Sequence, residues 1–123
     1  IFLFGKGYGI TLTDFGVGYG TIVREPHNGF LSIFARSGII GLSLFFWLHV
    51  VLIKNWFSAY KFAVSNNCVS EQNYLLHLGT YIILIFTAAI ADSMFQYPYY
   101  AILYYFFWGI ILRIGYNLKQ LKT

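Results

Sequence analysis

The chain has 123 residues, eight of them basic and four acidic, for a formal net charge of +4. Hydrophobic residues make up 59% and charged residues 10%, whereas soluble domains are about a quarter charged, so an ordinary soluble domain is excluded. The single cysteine, Cys68, excludes a disulfide scaffold, and the basic residues are too scattered to form a nucleic-acid-binding face.

The uncharged residues gather into three runs, 37–53, 72–91 and 93–112, each 17 to 20 residues long. At ~1.5 Å per residue such runs match the ~30 Å hydrocarbon layer of a bilayer. The predicted architecture is therefore an all-α integral membrane protein, with three transmembrane helices behind an N-terminal exoplasmic loop. In chain order, residues 1–29 form the glycine-rich loop, 30–53 the first span and 54–73 a cytoplasmic loop. The second span follows over 74–93, an exoplasmic turn over 94–96, the third span over 97–116 and a cytoplasmic tail over 117–123. Lys54, Lys61, Arg113, Lys119 and Lys122 then lie inside and Lys6 and Arg24 outside, as the positive-inside bias asks. The chain opens on Ile1, its only methionine is Met94, and residues 1–4 are apolar. It reads as the C-terminal part of a larger polytopic protein, whose upstream helices would complete any site.

Two copies of one pattern occupy the loop, Phe4-Gly-Lys-Gly-Tyr-Gly9 and Phe15-Gly-Val-Gly-Tyr-Gly20. Glycine permits positive φ and close approach to the backbone, as phosphate-cradling loops require. Neither copy has Walker or dinucleotide-fingerprint spacing, and a tightly turned loop explains both.

Pro26, His27 and Asn28 stand at the start of the first span, at a helix N-terminus on the membrane surface. Free N–H groups and the helix dipole there favour an anion, and the same potential favours a neutral His27 able to accept a proton. Arg24 is placed to clamp a phosphate; the alternative for His27 is a local capping or hydrogen-bonding role. Arg36 would be costly about two turns into a span unless paired or snorkelling. On a continuous helix it lies nearly opposite His27, an objection that weakens if the backbone is irregular up to Gly29. Ala35, Ser37, Gly38 and Gly41 read as small residues for close helix–helix packing. Asp92, at the outer end of the second span, is either an exposed loop carboxylate or a partner of Arg24, Arg36 or a polar substrate. His49 and His77 fall at the cytoplasmic ends of their spans, and no spacing suggests a metal site or a cofactor.

Nine of the fourteen residues from Phe95 to Trp108 are aromatic. Tyr97, Tyr99 and Tyr100 suit the water–lipid boundary, and Pro98 the first turn of the third helix. Tyr104, Tyr105 and Trp108 lie deeper, where packing is the simpler reading than a sugar platform and their polar tips need partners.

Taken together, Phe4-Gly-x-Gly-x-Gly9, Pro26-His27-Asn28-x-x-Leu31 and Gly38-x-x-Gly41 resemble the O-antigen ligase and polymerase family of polytopic bacterial inner-membrane glycosyltransferases. The resemblance implies metal-independent, inverting transfer of a glycan from an undecaprenyl-pyrophosphate carrier to an acceptor sugar at the periplasmic face. The acceptor that the resemblance implies is lipid A core or a growing polysaccharide. His27 matches the family's histidine and would be the general base, with Asn28 orienting it or the acceptor. Arg24, Arg36 and Asp92 are the candidates for pyrophosphate or glycan contact. The stretch between Gly9 and His27 is only 17 residues long, which tilts the resemblance toward polymerase-like members. Arg36 stands where a neutral or acidic residue is expected, and without upstream helices the segment would be inactive. Two other readings remain open: a segment of a lipid-linked sugar transporter or flippase, and a structural membrane subunit.

Overall fold

The structure, a computed structural model, describes residues 2–7, 28–92, 95 and 97–120. Three helices carry almost all of them: α1 (Gly29–Ser65), α2 (Val69–Ala91) and α3 (Pro98–Gln120), with no strand among the described residues. Each is long and apolar enough to cross a membrane. The outer flanks carry exposed Leu44, Phe57, Ile83, Leu84, Ile102 and Phe106, an apolar surface suited to lipid.

α1 and α2 meet at a turn over residues 66–68, so the 54–73 segment is not the loop expected from the sequence. Residues 54–65 continue α1, and 69–73 begin α2. The reason is packing beyond the charge-free runs. Ala59, Ala63 and Leu75 are buried with Leu118 in one core, so folding the helices further gains contacts. The same burial of Leu118 carries α3 to Gln120, past the expected end of the third span at 116. The turn is closed locally. Asn67 takes the left-handed conformation at φ 53, which asparagine tolerates. The Cys68 amide and the Gln72 side chain both donate to the Ala63 carbonyl, at 2.9 and 3.0 Å. At the opposite end of the bundle α2 stops at the extended Asp92, and α3 starts on Pro98 as its fixed φ favours.

Small residues do bring the helices together, but not the pair expected. A methyl at Gly79 would lie 2.6 Å from the Trp56 ring, and one at Gly115 would lie 3.1 Å from Ala59. These are the close approaches of α1 to α2 and to α3, where van der Waals packing replaces the hydrophobic effect in lipid. Trp56 is fixed by its Nε1–H, which donates to the Leu75 carbonyl at 2.9 Å.

Gly38 does something else. Its φ of 68° and ψ of −169° break α1 into arms over 29–37 and 39–65. Phe30 and Phe46 stand eight residues either side of Gly38, and in a straight helix would be ~24 Å apart. Their rings stack at 5.6 Å, so the chain doubles back. The predicted first span, 30–53, therefore joins two pieces: a short returning arm at the Asp92 end, and a long arm that pairs with α2.

Segment 2–7 fills the break. The Ile39 and Ile40 amides, freed from the helix ladder, donate to the Phe2 and Leu3 carbonyls at 2.9 and 3.4 Å. The Lys6 and Gly7 amides donate to the freed Ala35 and Arg36 carbonyls at 2.8 and 2.9 Å. Backbone groups opened in an apolar environment must find such partners. Gly5 and Gly38 both have positive φ, and side chains on either would collide with the opposite backbone. Gly41 faces Ser37 across the bend and borders an open groove, not a neighbouring helix.

Candidate functional site

The residues singled out by sequence converge on the Asp92 end of the bundle, as far as they are described. Asn28 is extended, with φ −154° and ψ 117°, and helix begins at Gly29. The backbone is therefore non-helical at Asn28, just before Gly29. His27 and Arg24 themselves lie outside the described residues, as do the second glycine pattern and most of the 94–96 turn.

Asn28 is engaged on both sides of its carboxamide. Its Oδ1 accepts from the Phe30 and Leu31 amides, each at 3.0 Å, an N-cap that asparagine favours. Its Nδ2 donates to the Ile90 carbonyl in the last turn of α2, at 2.8 Å. That bond ties Asn28 to the end of α2. Gly29 is buried in the same joint, where a methyl would lie 3.0 Å from the Ala89 carbonyl oxygen and 3.4 Å from that of Asp92.

This joint changes the electrostatics expected there. The Phe30 and Leu31 amides are not free for an anion, because Asn28 holds them. The α1 N-terminus also meets carbonyls from the C-terminal end of α2, so the two helix dipoles complement one another. Positive charge for a phosphate would have to come from side chains. Arg36 is half-buried on the short arm, seven residues beyond Gly29, which returns it to nearly the same face after about two turns. Ser32, on that face, is buried. The Arg36 carbonyl receives the Gly7 amide, which brings the backbone beside Lys6 to the arm's end. Asp92 is exposed at the C-cap of α2. The structure thus gathers Asn28 and Asp92 at one joint, with Arg36 about 10 Å along the short arm. Among the described residues no three His, Cys, Asp or Glu side chains group to hold a metal ion.

Below the joint sits an aromatic cluster centred on Phe30, whose ring lies 5.1 Å from Phe86, 6.1 Å from Phe45 and 6.4 Å from Phe95. His49 belongs to this cluster, 5.3 Å from Phe86 and 5.6 Å from Tyr104. That corrects its expected place at the far end of the first span. Phe86 and Tyr104 are each six residues, or about 9 Å, from the Asp92 end of their helices, and the bend at Gly38 returns His49 to that depth. Tyr104 and Trp108 are buried as packing residues, yet neither polar tip has the partner expected from a neighbouring helix. Sequence reasoning missed this grouping because it assumed a straight first helix.

No family model, curated protein or solved structure matches the chain. The class defined on these grounds is that of an all-α membrane protein with a broken first helix.

Proposed function

We propose that this chain carries the acceptor-activating part of a bacterial inner-membrane glycosyltransferase. The enzyme would transfer or polymerise glycan from undecaprenyl pyrophosphate at the periplasmic face. The observation that carries the reading is the Asn28 anchor. It holds the last residue of the Pro26-His27-Asn28 motif at the end of the bundle that also bears Asp92 and the short arm with Arg36.

In the reaction His27 takes the proton of an acceptor hydroxyl as its oxygen attacks the anomeric carbon of the carrier-linked sugar. The new glycosidic C–O bond forms as the bond from that carbon to the pyrophosphate oxygen breaks. The leaving group departs with its electron pair on the carrier, and inversion follows from single displacement. Arg24 and Arg36 supply positive charge to the leaving pyrophosphate. Asn28 is a positioning residue, since its oxygen is occupied by the cap, and Asp92 is the candidate contact to glycan hydroxyls.

The test is His27→Ala in the full-length protein, with surface glycan measured in cells and membrane abundance checked alongside. Loss of a general base predicts a fall of about 10²–10⁴-fold in glycan output at unchanged abundance. Normal output would sink the proposal. A second reading, transport of a lipid-linked sugar, draws support from the break at Gly38, because transporters build substrate sites at interrupted helices. Translocation of carrier-linked sugar in vesicles lacking any acceptor would favour it over transfer.

A further inference from the structure

A groove of about 230 Å³ runs between α1 and α3 near the end of the bundle where both helices finish. Asn55 lines it from α1, and Ile111, Leu112, Gly115, Tyr116 and Lys119 line it from α3. The two helices run in the same direction and meet closely where Gly115 faces Ala59. Asn55 and Ile111 stand one turn before that contact, and Lys119 stands one turn beyond it, nearest the helix ends. Over the ~12 Å from Ile111 to Lys119 the lining therefore has an order. It begins with Ile111 and Leu112 beside the Asn55 amide, continues at the Tyr116 phenol and ends at the Lys119 ammonium.

The polar groups along this line can all donate. Asn55 Nδ2 commits one hydrogen to the Val51 carbonyl at 2.9 Å and keeps a second. The Tyr116 hydroxyl accepts from Gln120 Nε2 at 2.6 Å, which leaves its own hydrogen available. The Arg113 guanidinium lies 5.7 Å from the centre of the Tyr116 ring and adds positive charge beside the groove. No carboxylate lines it. Among the described residues this end bears four cations, Lys54, Lys61, Arg113 and Lys119, against one acid, Glu71, which belongs to α2.

A phospholipid standing in one leaflet carries its groups in the same order, with phosphate outermost, ester carbonyls next and hydrocarbon deepest. The excess of cations favours a lipid of net negative charge. A choline or ethanolamine cation would find no carboxylate in the groove. A soluble phosphate ester would leave the Ile111–Leu112 end without an apolar partner. We propose that this groove binds one anionic phospholipid with an uncharged headgroup alcohol, of the phosphatidylglycerol kind. Its phosphate sits against Lys119 and Tyr116, an ester carbonyl accepts from Asn55, and its chains enter the bilayer past Leu112. The site lies at the opposite end of the bundle from the Asn28–Asp92 joint and stands whether or not the chain transfers glycans.

The test titrates the full-length protein in detergent micelles with phosphatidylglycerol and with phosphatidylcholine of the same chains. Native mass spectrometry counts the lipids retained. Phosphatidylglycerol is expected to fill one site at least about fivefold more tightly than phosphatidylcholine, as one lysine near the membrane surface provides. Lys119→Gln should remove about that factor. Lys61→Gln takes the same charge from the same end without touching the groove, and should weaken binding by less than about twofold, because exposed charges at a distance are screened. Glycerol 1-phosphate, the headgroup phosphate without chains, should not displace the lipid at equal concentration. Equal retention of the two lipids would overturn the proposal. So would equal losses in Lys119→Gln and Lys61→Gln, which would show a diffuse positive field and no site. Displacement by glycerol 1-phosphate would also overturn it, in favour of a soluble phosphate ester.

Discussion

Replacing Gly38 with alanine attacks the reversal that builds the Asp92 end of the bundle. At φ 68° and ψ −169° the backbone is in a region held almost only by glycine, and strain there costs about 1–3 kcal/mol. The added methyl would also lie 2.6 Å from the Gly5 nitrogen and collide with the Leu3 carbonyl. Both are main chain, so no side-chain rotation relieves the clash, and segment 2–7 must withdraw. Withdrawal forfeits its four bonds, to the Ile39 and Ile40 amides and the Ala35 and Arg36 carbonyls, but the wild type bears the same loss, so only the strain and the clash shift the balance. The strain alone corresponds to about a fivefold to hundredfold rise in the withdrawn population, and the clash adds to it. Hydrogen-exchange mass spectrometry of the full-length protein in nanodiscs measures this, as a loss of protection at Ile39 and Ile40. Gly7→Ala is the comparison, because Gly7 also has positive φ, at 86°, but a methyl there meets nothing within 4 Å. It should show only the conformational cost, about 1–2 kcal/mol. Wild-type protection in Gly38→Ala, or equal losses in both variants, would refute the claim that segment 2–7 seals the break.

Asn28→Asp keeps the oxygen that caps α1 but loses the donor to Ile90, whereas Asn28→Ala loses both. Thermal unfolding should therefore rank wild type above Asp above Ala, the last lower by about 2–3 kcal/mol. Gly79→Ala forces a methyl against the Trp56 ring and should cost about 1–3 kcal/mol in the same assay. Part of that loss should return in a Gly79→Ala, Trp56→Leu double variant, a coupling expected only if the two residues touch. Phe30→Ala removes the ring at the centre of the aromatic cluster and is expected to cost about 3–5 kcal/mol. Its effect on hydrogen exchange should fall on the short arm and leave the 66–68 turn protected.

The three apolar helices were legible because the length of a charge-free run is a one-dimensional property that the bilayer reads directly. Pro98 was legible for a similar reason, since its fixed φ belongs to a first helical turn wherever the chain goes afterwards. The bend was not. Gly38-x-x-Gly41 has the spacing of a helix–helix contact, and the same two glycines serve equally well at a break. What separates the two uses is segment 2–7, more than thirty residues away, whose backbone completes the broken ladder. Periodicity within a window cannot see a partner at that distance. One sequence signal did point the right way: Arg36 is expensive inside a continuous span. The structure removes the expense by making residues 29–37 a short arm at the Asp92 end and not the first third of a membrane crossing.

The same bend explains why the polar residues of the bundle were misplaced relative to one another. Counting 1.5 Å per residue along a straight helix puts His49 about 30 Å from Gly29, near the opposite face of a bilayer. Folding the helix at Gly38 cancels most of that distance. Phe30 and His49 then share Phe86 as a neighbour, at 5.1 and 5.3 Å. The Asn28 anchor and the buried rings of Tyr104 and Trp108 thereby lie on either side of the aromatic cluster around Phe30. Asn28 was recognisable as a residue at a helix start, but its second bond, to Ile90, exists only because α2 ends beside α1. The helix reversal therefore does two jobs. It sets Asn28 against the end of α2, and it returns His49 to the depth of Tyr104. A substitution that straightens α1 should disturb both places at once.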